Sequence, residues 1–84
     1  MSFTIEFTKT ALKDVRALSP KLTQKLKEIL LKQIMEDPYS GKKLLGDLTG
    51  FFSVRLSYKD RIVYSIDTKK KIIYIHRAKT HYGE

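Results

Sequence analysis

The sequence predicts a small α+β fold in which an N-terminal strand, an antiparallel helix hairpin and a three-stranded antiparallel meander share one core. Two observations predict this order. Apolar residues of the first half alternate once and then recur at helical spacing, whereas those of the second half alternate through three short segments. One sheet face should pack on the helices and the other should face water. With 84 residues and no repeat or flexible linker, the chain forms a single domain, residues 1–84.

The N-terminal strand is predicted by the alternation of residues 2–7, which puts Phe3, Ile5 and Phe7 on one face. Thr8 can then cap a short helix, because a threonine side chain accepts a hydrogen bond from the free amides at a helix start. The apolar stripe of this helix consists of Ala11, Leu12, Val15 and Leu18.

The second helix begins at Ser19-Pro20, a capping residue followed by proline at the first helical position. It runs to about Glu36 and ends at Asp37-Pro38, because the residue before a proline is pushed out of helical geometry. The tight junction between the two helices predicts an antiparallel hairpin. The buried stripe of the second helix consists of Leu22, Leu26, Ile29, Leu30 and Ile34.

The second half predicts strands separated by polar turns. Its alternating segments are rich in β-branched and aromatic residues, and a loop at residues 42–50 precedes them. The loop contains a short extended piece at Lys43–Leu45, the strands are Phe51–Leu56, Arg61–Ile66 and Lys71–Arg77, and the turns are residues 57–60 and 67–70.

The strand register places two arginines on the open face of the sheet. If Val54 faces the core and pairs with Ile62, then Arg55 pairs with Arg61 on the opposite face. Like charges placed side by side on a sheet repel each other, so a protein that keeps them there usually needs an anion at that place. The alternative interpretation is that arginines on an open face only keep the protein soluble.

The position of Arg77 depends on the register of the last strand. If Ile66 pairs with Ile72, Arg77 comes to lie beside Arg61, and three arginines cross the open face in one row. A slip of one residue would put Arg77 on the core side instead. The sequence leaves both registers open, and in the first of them Arg77 is a candidate phosphate-binding residue.

Net charge favours a polyanionic partner. Seventeen lysines and arginines against nine acidic residues give a formal charge of +8 and a pI near 9.8. A domain this basic suits nucleic acid, although a solvated lysine surface would give the same total. The positions of the charges therefore have to decide between these interpretations.

Composition argues against several other classes of protein. The chain has no cysteine and two histidines without metalloprotease spacing, so we predict no disulfide, no metal and no other cofactor. Residues 1–20 lack the basic-then-apolar layout of a signal peptide, and no apolar run is long enough to span a bilayer. We therefore expect a cytoplasmic protein with no membrane partner.

Three segments of the second half resemble the YoeB toxins of the RelE/ParE superfamily. These segments are Leu48-Thr49-Gly50-Phe51-Phe52-Ser53-Val54-Arg55-Leu56, then Asp60-Arg61-Ile62-Val63-Tyr64, and finally His81-Tyr82. YoeB toxins read leucine-serine-glycine-aromatic-tryptophan-serine-arginine-arginine, then histidine-arginine-leucine-valine-tyrosine, and end in histidine-tyrosine. The resemblance covers the whole chain and is specific from about Leu45 onward. It implies a RelE-like fold and a ribosome-dependent endoribonuclease that a co-expressed antitoxin keeps silent.

The resemblance also implies roles for individual residues. RNA can be cleaved without a metal when its own 2′-hydroxyl attacks the adjacent phosphorus, which requires a base, an acid and cations at the phosphorane. Arg61 matches the catalytic arginine that stabilises transition-state charge, and Arg55 matches an arginine that binds phosphate. His81 matches the donor of a proton to the departing 5′-oxygen. Tyr82 matches a terminal tyrosine that stacks on a base or assists proton transfer, and Lys79 matches a phosphate-binding arginine.

The chain departs from the family where the general base is expected. YoeB toxins carry a glutamate there, whereas this sequence reads Lys42-Lys43-Leu44. Because RelE itself uses lysines without such a glutamate, Lys43 is a candidate for phosphate binding or for the base. Asp47 and Glu84 are nearby carboxylates that nothing specifically supports. The base is therefore unassigned, and the tail continues past Tyr82 for Gly83-Glu84.

One histidine and the aromatic residues have a structural interpretation. His76 lies on a predicted strand, where a hydrogen-bonded structural role is favoured. The phenylalanines and tyrosines at positions 51, 52, 64 and 74 are expected mostly in the core, although one on the open face could stack a base.

The expected partners follow from the resemblance. They are an acidic, partly disordered antitoxin, which would fold onto the basic face or the helix hairpin, together with messenger RNA in the ribosomal A site and ribosomal RNA. YoeB-like toxins can also pair, although no dimer face is legible in the sequence. Two rival functions stay open: a ParE-like inhibitor of DNA gyrase without chemistry of its own, and an inactive RNA- or antitoxin-binding protein of the same fold.

Overall fold

The computed structural model describes residues 3–80 and confirms the predicted α+β fold class, with helices packed on one face of a five-stranded sheet. The strand order is β1-β5-β4-β3-β2, with β1 parallel to β5 and the other neighbours antiparallel. The strands are β1 (Thr4–Phe7), β2 (Lys42–Lys43), β3 (Phe51–Arg55), β4 (Arg61–Asp67) and β5 (Ile72–Thr80), and the helices are α1 (Lys9–Ala17) and α2 (Pro20–Ile29). In residues 3–80, no helix is long and apolar enough to cross a membrane.

Both helices begin at the predicted caps. The Thr8 hydroxyl accepts a hydrogen bond from the Ala11 amide at 3.1 Å, and the Ser19 hydroxyl accepts one from the Leu22 amide at 3.2 Å. The second helix differs from the prediction at its other end. Regular α-helix stops at Ile29, and Leu30–Ile34 continues as a π-helix whose last turn is closed by the Met35 amide. Leu30 and Ile34 are nevertheless buried, as predicted.

The sheet has an additional strand at each edge of the predicted meander. At one edge, β1 joins β5 in parallel, which places the N-terminal strand beside the last one. At the other edge, β2 pairs with β3, and it lies at Lys42–Lys43 rather than at the predicted Lys43–Leu45. The shift matters because neighbouring residues of a strand point to opposite faces.

The register of β3 and β4 is the predicted one, but that of β4 and β5 is not. Arg55 pairs with Arg61, whereas Ile66 pairs with Ile73 instead of the expected Ile72. This slip buries both Ile73 and Ile75 completely in the core. The gain in buried apolar surface explains why the alternative register is adopted.

The register also corrects the predicted place of Arg77, which pairs with Val63 instead of lying beside Arg61, and whose side chain forms an ion pair with Asp14 of α1. Its Nε donates to Asp14 Oδ2 at 2.8 Å, and the Ala78 amide donates to the same oxygen at 3.0 Å. Burial raises the pKa of Asp14, but the hydrogen bonds from Arg77 and Ala78 and the charge of Arg77 outweigh it and leave that pKa below its ordinary value. The expected row of three arginines is therefore wrong.

A buried tyrosine fixes the connection between the helices and the sheet. The Tyr64 hydroxyl donates to the Pro38 carbonyl at 2.7 Å, and burial is the main reason that the pKa of Tyr64 rises to about 12. Gly41 passes so close that an added Cβ would lie 2.5 Å from the Tyr64 hydroxyl oxygen and 3.2 Å from the Ser53 carbonyl oxygen. A side chain at position 41 would therefore displace Tyr64 or β2.

Replacing Asp14 with asparagine should lower the free energy of unfolding at pH 7 by about 1–3 kcal/mol, because charged hydrogen bonds to Arg77 and Ala78 are lost. The deficit should shrink as the pH falls below about 4. A carboxylate whose folded pKa is depressed stabilises the fold above its unfolded pKa and loses that effect as the pH passes through the folded one. Urea denaturation at pH 7 and pH 3 measures both effects, with exposed Asp47→Asn as control. Equal losses in the two variants would contradict the assignment.

Gly41→Ala should cost about 1–3 kcal/mol of stability through overpacking against Tyr64. The cost should be smaller in a Tyr64→Phe background, because the nearest clashing atom is then absent. A double-mutant cycle, in which the free energy of unfolding is measured for the wild type, both single variants and the double variant, tests this coupling. Strictly additive losses would show that the two residues do not compete for the same space.

Candidate nucleic-acid interface

The open face of the sheet is the face to which Arg55 and Arg61 point, together with every second residue of their strands. Ser53 pairs with Val63 on this face, and Lys42 pairs with Ser53, so Lys42 belongs to it as well. Val63 and Ser53 are 0% and 4% exposed, which makes them the floor of the face. The side chains that this face carries on β2, β3 and β4 are Lys42, Phe51, Ser53, Arg55, Arg61, Val63 and Ser65.

Two directly opposed arginines dominate the electrostatics of the open face. Arg55 is exposed and Arg61 is half-buried, and the two are partners in the β3–β4 ladder. Within residues 3–80, neither guanidinium has an acidic partner, since the ion pair there joins Arg77 to Asp14. Asp60, the nearest carboxylate in the turn, is held by the Ser57 hydroxyl at 3.0 Å. The uncompensated repulsion of two adjacent cations favours binding of an anion.

A small polar cavity lies beside this pair of arginines. It has a volume of about 160 Å³ and is lined by Lys42, Leu44, Ser53 and Arg61. Three of these residues carry an ammonium group, a hydroxyl or a guanidinium, the kinds of group that proteins use to bind phosphate. Sequence reasoning did not single out Lys42, because only the pairing of β2 with β3 shows that it shares a face with Arg61.

The structure places Lys43 elsewhere. Lys43 pairs with Phe52, whose side chain is in the core, so it points away from the face that carries Arg61. It lines a second, mainly apolar cavity of about 390 Å³ together with Tyr39 and Leu45. Of the two adjacent lysines, Lys42 is therefore the one that the fold brings to the arginines.

A second cluster on the open face combines Phe51, Ser65 and His76. Ser65 pairs with Phe51 across β3 and β4, and its Oγ lies 2.8 Å from His76 Nε2. The centroids of the Phe51 and His76 rings are 4.8 Å apart, with the rings tilted by 55°. Burial lowers the pKa of His76, which favours the uncharged imidazole. The structural hydrogen bond expected for His76 is present, and its partner is Ser65.

The remaining predicted site residues lie at or beyond the end of β5. Lys79 is exposed next to the last residue of β5, Thr80, which is the backbone partner of Arg61. His81 and Tyr82, the predicted proton donor and terminal tyrosine, lie outside the described residues, as does the candidate carboxylate Glu84. Asp47 lies exposed in a short 3₁₀ turn at Gly46–Leu48, and nothing in its surroundings marks it as a base.

Comparison with solved structures places the fold among bacterial toxins. The toxin–antitoxin complex RelBE2 from Mycobacterium tuberculosis matches with a TM-score of 0.85 and 29% identity, covering 96% of this chain and 100% of that one. The YoeB dimer from Staphylococcus aureus matches with a TM-score of 0.78 and 33% identity, covering 95% of this chain and 98% of that one. The fold is that of the RelE/ParE superfamily with YoeB-like relatives, as the sequence motifs predicted.

Sequence comparison identifies the family. Residues 5–83 match the profile of a family described as ParE-like toxin of type II bacterial toxin-antitoxin system. Toxin RelG of Mycobacterium tuberculosis is 32% identical over 79 residues, which cover 93% of this chain and 90% of RelG. The chain therefore belongs to the ParE-like toxin family and is the toxin of a toxin–antitoxin system.

The placement of the two lysines predicts different behaviour towards single-stranded RNA. Lys42→Gln should weaken RNA binding and reduce the slope of log affinity against log salt concentration by roughly 0.7, the value for one lost phosphate contact. Lys43→Gln should leave that slope close to the wild-type value, because its side chain is on the other face. Fluorescence anisotropy of a labelled oligonucleotide over a salt series measures both slopes. Equal slope changes would refute a face-specific contact.

Proposed function

We propose that this toxin is a ribosome-dependent endoribonuclease that cleaves messenger RNA in the ribosomal A site. The observation that carries the proposal is the pair of opposed arginines, Arg55 and Arg61, beside a cavity to which Lys42 contributes. Such a surface suits an RNA backbone, and ribosomal RNA would supply further phosphates around it. The resemblance of the β3–β4 segment to YoeB toxins supports the same reaction class.

The cleavage step needs no metal. The 2′-oxygen forms a bond to the adjacent phosphorus as its proton passes to a base, and the bond from phosphorus to the 5′-oxygen breaks as an acid protonates that oxygen. The products are a 2′,3′-cyclic phosphate and a 5′-hydroxyl. General acid and base assistance each contribute about 10²–10⁴-fold. The cations stabilise the additional negative charge on the phosphorane, which is often the largest contribution.

Arg55 and Arg61 differ in burial, and we therefore propose different roles for them. Arg61 is half-buried and lines the cavity, so its charge is less screened by water and we assign it to the transition state. Arg55 is exposed, and we assign it to binding a flanking phosphate. Lys42, which lines the cavity, is assigned the phosphate contact that the sequence analysis offered to Lys43, and Lys79 remains a candidate for a peripheral phosphate contact.

We assign the general acid to His81. The backbone of β5 ends at Thr80, which is the ladder partner of Arg61, and His81 is the next residue in the sequence. The assignment is supported by the resemblance of His81-Tyr82 to the histidine-tyrosine end of YoeB toxins. Tyr82 is proposed to stack on a base or to assist proton transfer. The chain's base stays unassigned.

We propose an acidic, partly disordered antitoxin as the protein partner. The formal charge of +8 provides the electrostatic complement. The helix side offers an apolar groove of about 370 Å³ between β1 and the helices, where Leu31 is 54% exposed. An antitoxin that folds on binding could cover this groove with apolar side chains and the basic face with acidic ones.

Arg61→Ala should reduce message cleavage by about 10²-fold or more while the protein stays folded, because the side chain is not part of the core. The measurement is mapping of 5′ ends of cellular messages after brief induction, with Arg16→Ala on the exposed side of α1 as the matched arginine control. Codon-phased cuts in the wild type and the Arg16 variant, absent from the Arg61 variant, are expected.

Two other results of the same induction experiment would favour one of the rival functions over the proposed nuclease. Gyrase-linked DNA breaks without message cleavage would identify a ParE-like inhibitor. Neither kind of break, in cells that contain folded protein, would leave an RNA- or antitoxin-binding protein.

A further inference from the structure

The cluster of Phe51, Ser65 and His76 is not used by the cleavage step described above. Phe51 and His76 are half-buried, and neither is among the residues of the hydrophobic core or those packed against it. Because Phe51 pairs with Ser65 on the open face and His76 lies within hydrogen-bond distance of Ser65, the two rings lie on the same face as the arginines. Two aromatic rings next to a phosphate-binding surface are typical of proteins that hold single-stranded RNA by stacking its bases.

An irregularity in the sheet lies directly at His76, which follows the core-facing Ile75 and therefore faces the open side. Tyr64 pairs with Ile75, whereas the preceding residue, Val63, pairs with Arg77, so β5 has one extra residue, His76, between two consecutive pairs. Such bulges re-aim side chains and are frequent next to functional sites. Here the bulge leaves the imidazole on the open face within hydrogen-bond distance of Ser65.

The orientation and charge of His76 suit recognition of a neutral group. Ser65 holds Nε2 at 2.8 Å, which restricts rotation of the ring. Among residues 3–80, no hydrogen bond is formed to Nδ1, and no fully buried side-chain nitrogen or oxygen is without a partner, so Nδ1 is not fully enclosed by that part of the chain. In the uncharged form, which burial favours, the ring offers one directed donor or acceptor at Nδ1 and no charge for phosphate.

We propose that Phe51 and His76 form a nucleobase-binding subsite beside the phosphate-binding cavity, an inference that rests on the proposed function. A base would stack on the exposed surface of the ring pair, and Nδ1 of His76 would hydrogen-bond to its edge. The spacing fits, because Phe51 lies two residues from Ser53 on the same face, about 7 Å along the strand. A phosphate in the cavity thus places a neighbouring base over Phe51.

The subsite gives the toxin a preference among bases next to the cleaved phosphate. Stacking on Phe51 accepts any base, whereas the Nδ1 contact distinguishes bases by their edge groups. A preference in the cleavage pattern should therefore depend on His76, and overall affinity should depend on Phe51.

The test compares intact RNA with RNA that lacks one base. Short oligonucleotides with a 2′-deoxy group at the scissile position resist cleavage, and an abasic site is moved through them one position at a time. For the wild type, one abasic position should lower the affinity by about 5- to 150-fold, the range for one stacked base. In Phe51→Leu the intact RNA should bind more weakly, and the same abasic site should cost less than about threefold.

Two further variants complete the set. His76→Phe keeps a ring and removes both nitrogens, so it should retain binding and lose discrimination between bases at the sensitive position. Tyr58→Leu is the control, because Tyr58 is an aromatic residue 93% exposed in the turn between β3 and β4 and outside the ring pair. It should behave like the wild type with both RNAs.

If Phe51→Leu or His76→Phe does not fold, crosslinking of the wild type to RNA with 4-thiouridine at the sensitive position still tests the inference. The crosslink should map to a peptide that contains Phe51 or His76. Crosslinks to other peptides would overturn the inference, and so would an abasic penalty that is unchanged in folded Phe51→Leu. Variants of Phe51 or His76 that lose antitoxin binding but keep the wild-type affinity for RNA would overturn it as well. These outcomes leave the proposed function standing, whereas absence of Arg61-dependent cleavage on ribosomes would remove that function without touching the binding data.

Discussion

The hydrogen bond from the Tyr64 hydroxyl to the Pro38 carbonyl is the contact on which the rest of the site depends. A phenol in the core loses its water, and this bond offsets that cost. It ties the end of the helical half to the central strand of the meander, and Gly41 leaves room for the chain to turn there. The next residue is Lys42, whose pairing with Ser53 puts it on the same face as Arg61, where both residues line one cavity. A contact in the core thus decides which of two adjacent lysines reaches the open face.

The sequence could predict the arginine pair because two independent signals agree there. Alternation in β3 and β4 assigns Arg55 and Arg61 to one face, and the short turn between them, closed by hydrogen bonds to Asp60, leaves no room for a slip. The last strand lacks that agreement. Its isoleucines lie at both odd and even positions, so alternation does not decide whether Ile72 or Ile73 pairs with Ile66, and the register depends on how much apolar surface is buried in total. The bulge at His76 then shifts the register once more, and no local sequence pattern predicts it. β2 has only two residues, so it is too short to show the alternation of apolar and polar residues that predicts a strand.

Arginines on this small sheet serve two different purposes, and their partners tell them apart. Arg77 meets a carboxylate, so its charge is balanced within the fold and stabilises the packing of α1 on β5. Arg55 and Arg61 face each other instead, which costs free energy in the isolated protein. An anionic ligand removes that cost when it binds, and the unfavourable pairing becomes binding free energy. The chain could have paired either cation with an acidic residue, and the absence of one in residues 3–80 is consistent with a surface kept for a ligand.

The contacts of Asp14 connect the helix side of the molecule to the open face. Its carboxylate accepts hydrogen bonds from the Arg77 side chain and the Ala78 amide, three and two residues before the end of β5. The strand is therefore held at α1 shortly before Thr80 reaches its place opposite Arg61. Because the bulge at His76 has already broken the regular ladder, backbone pairing alone gives this stretch less support than an unbroken strand would have. The Asp14 carboxylate supplies part of the missing support, so a residue of α1 helps to hold the last residues of β5 opposite Arg61.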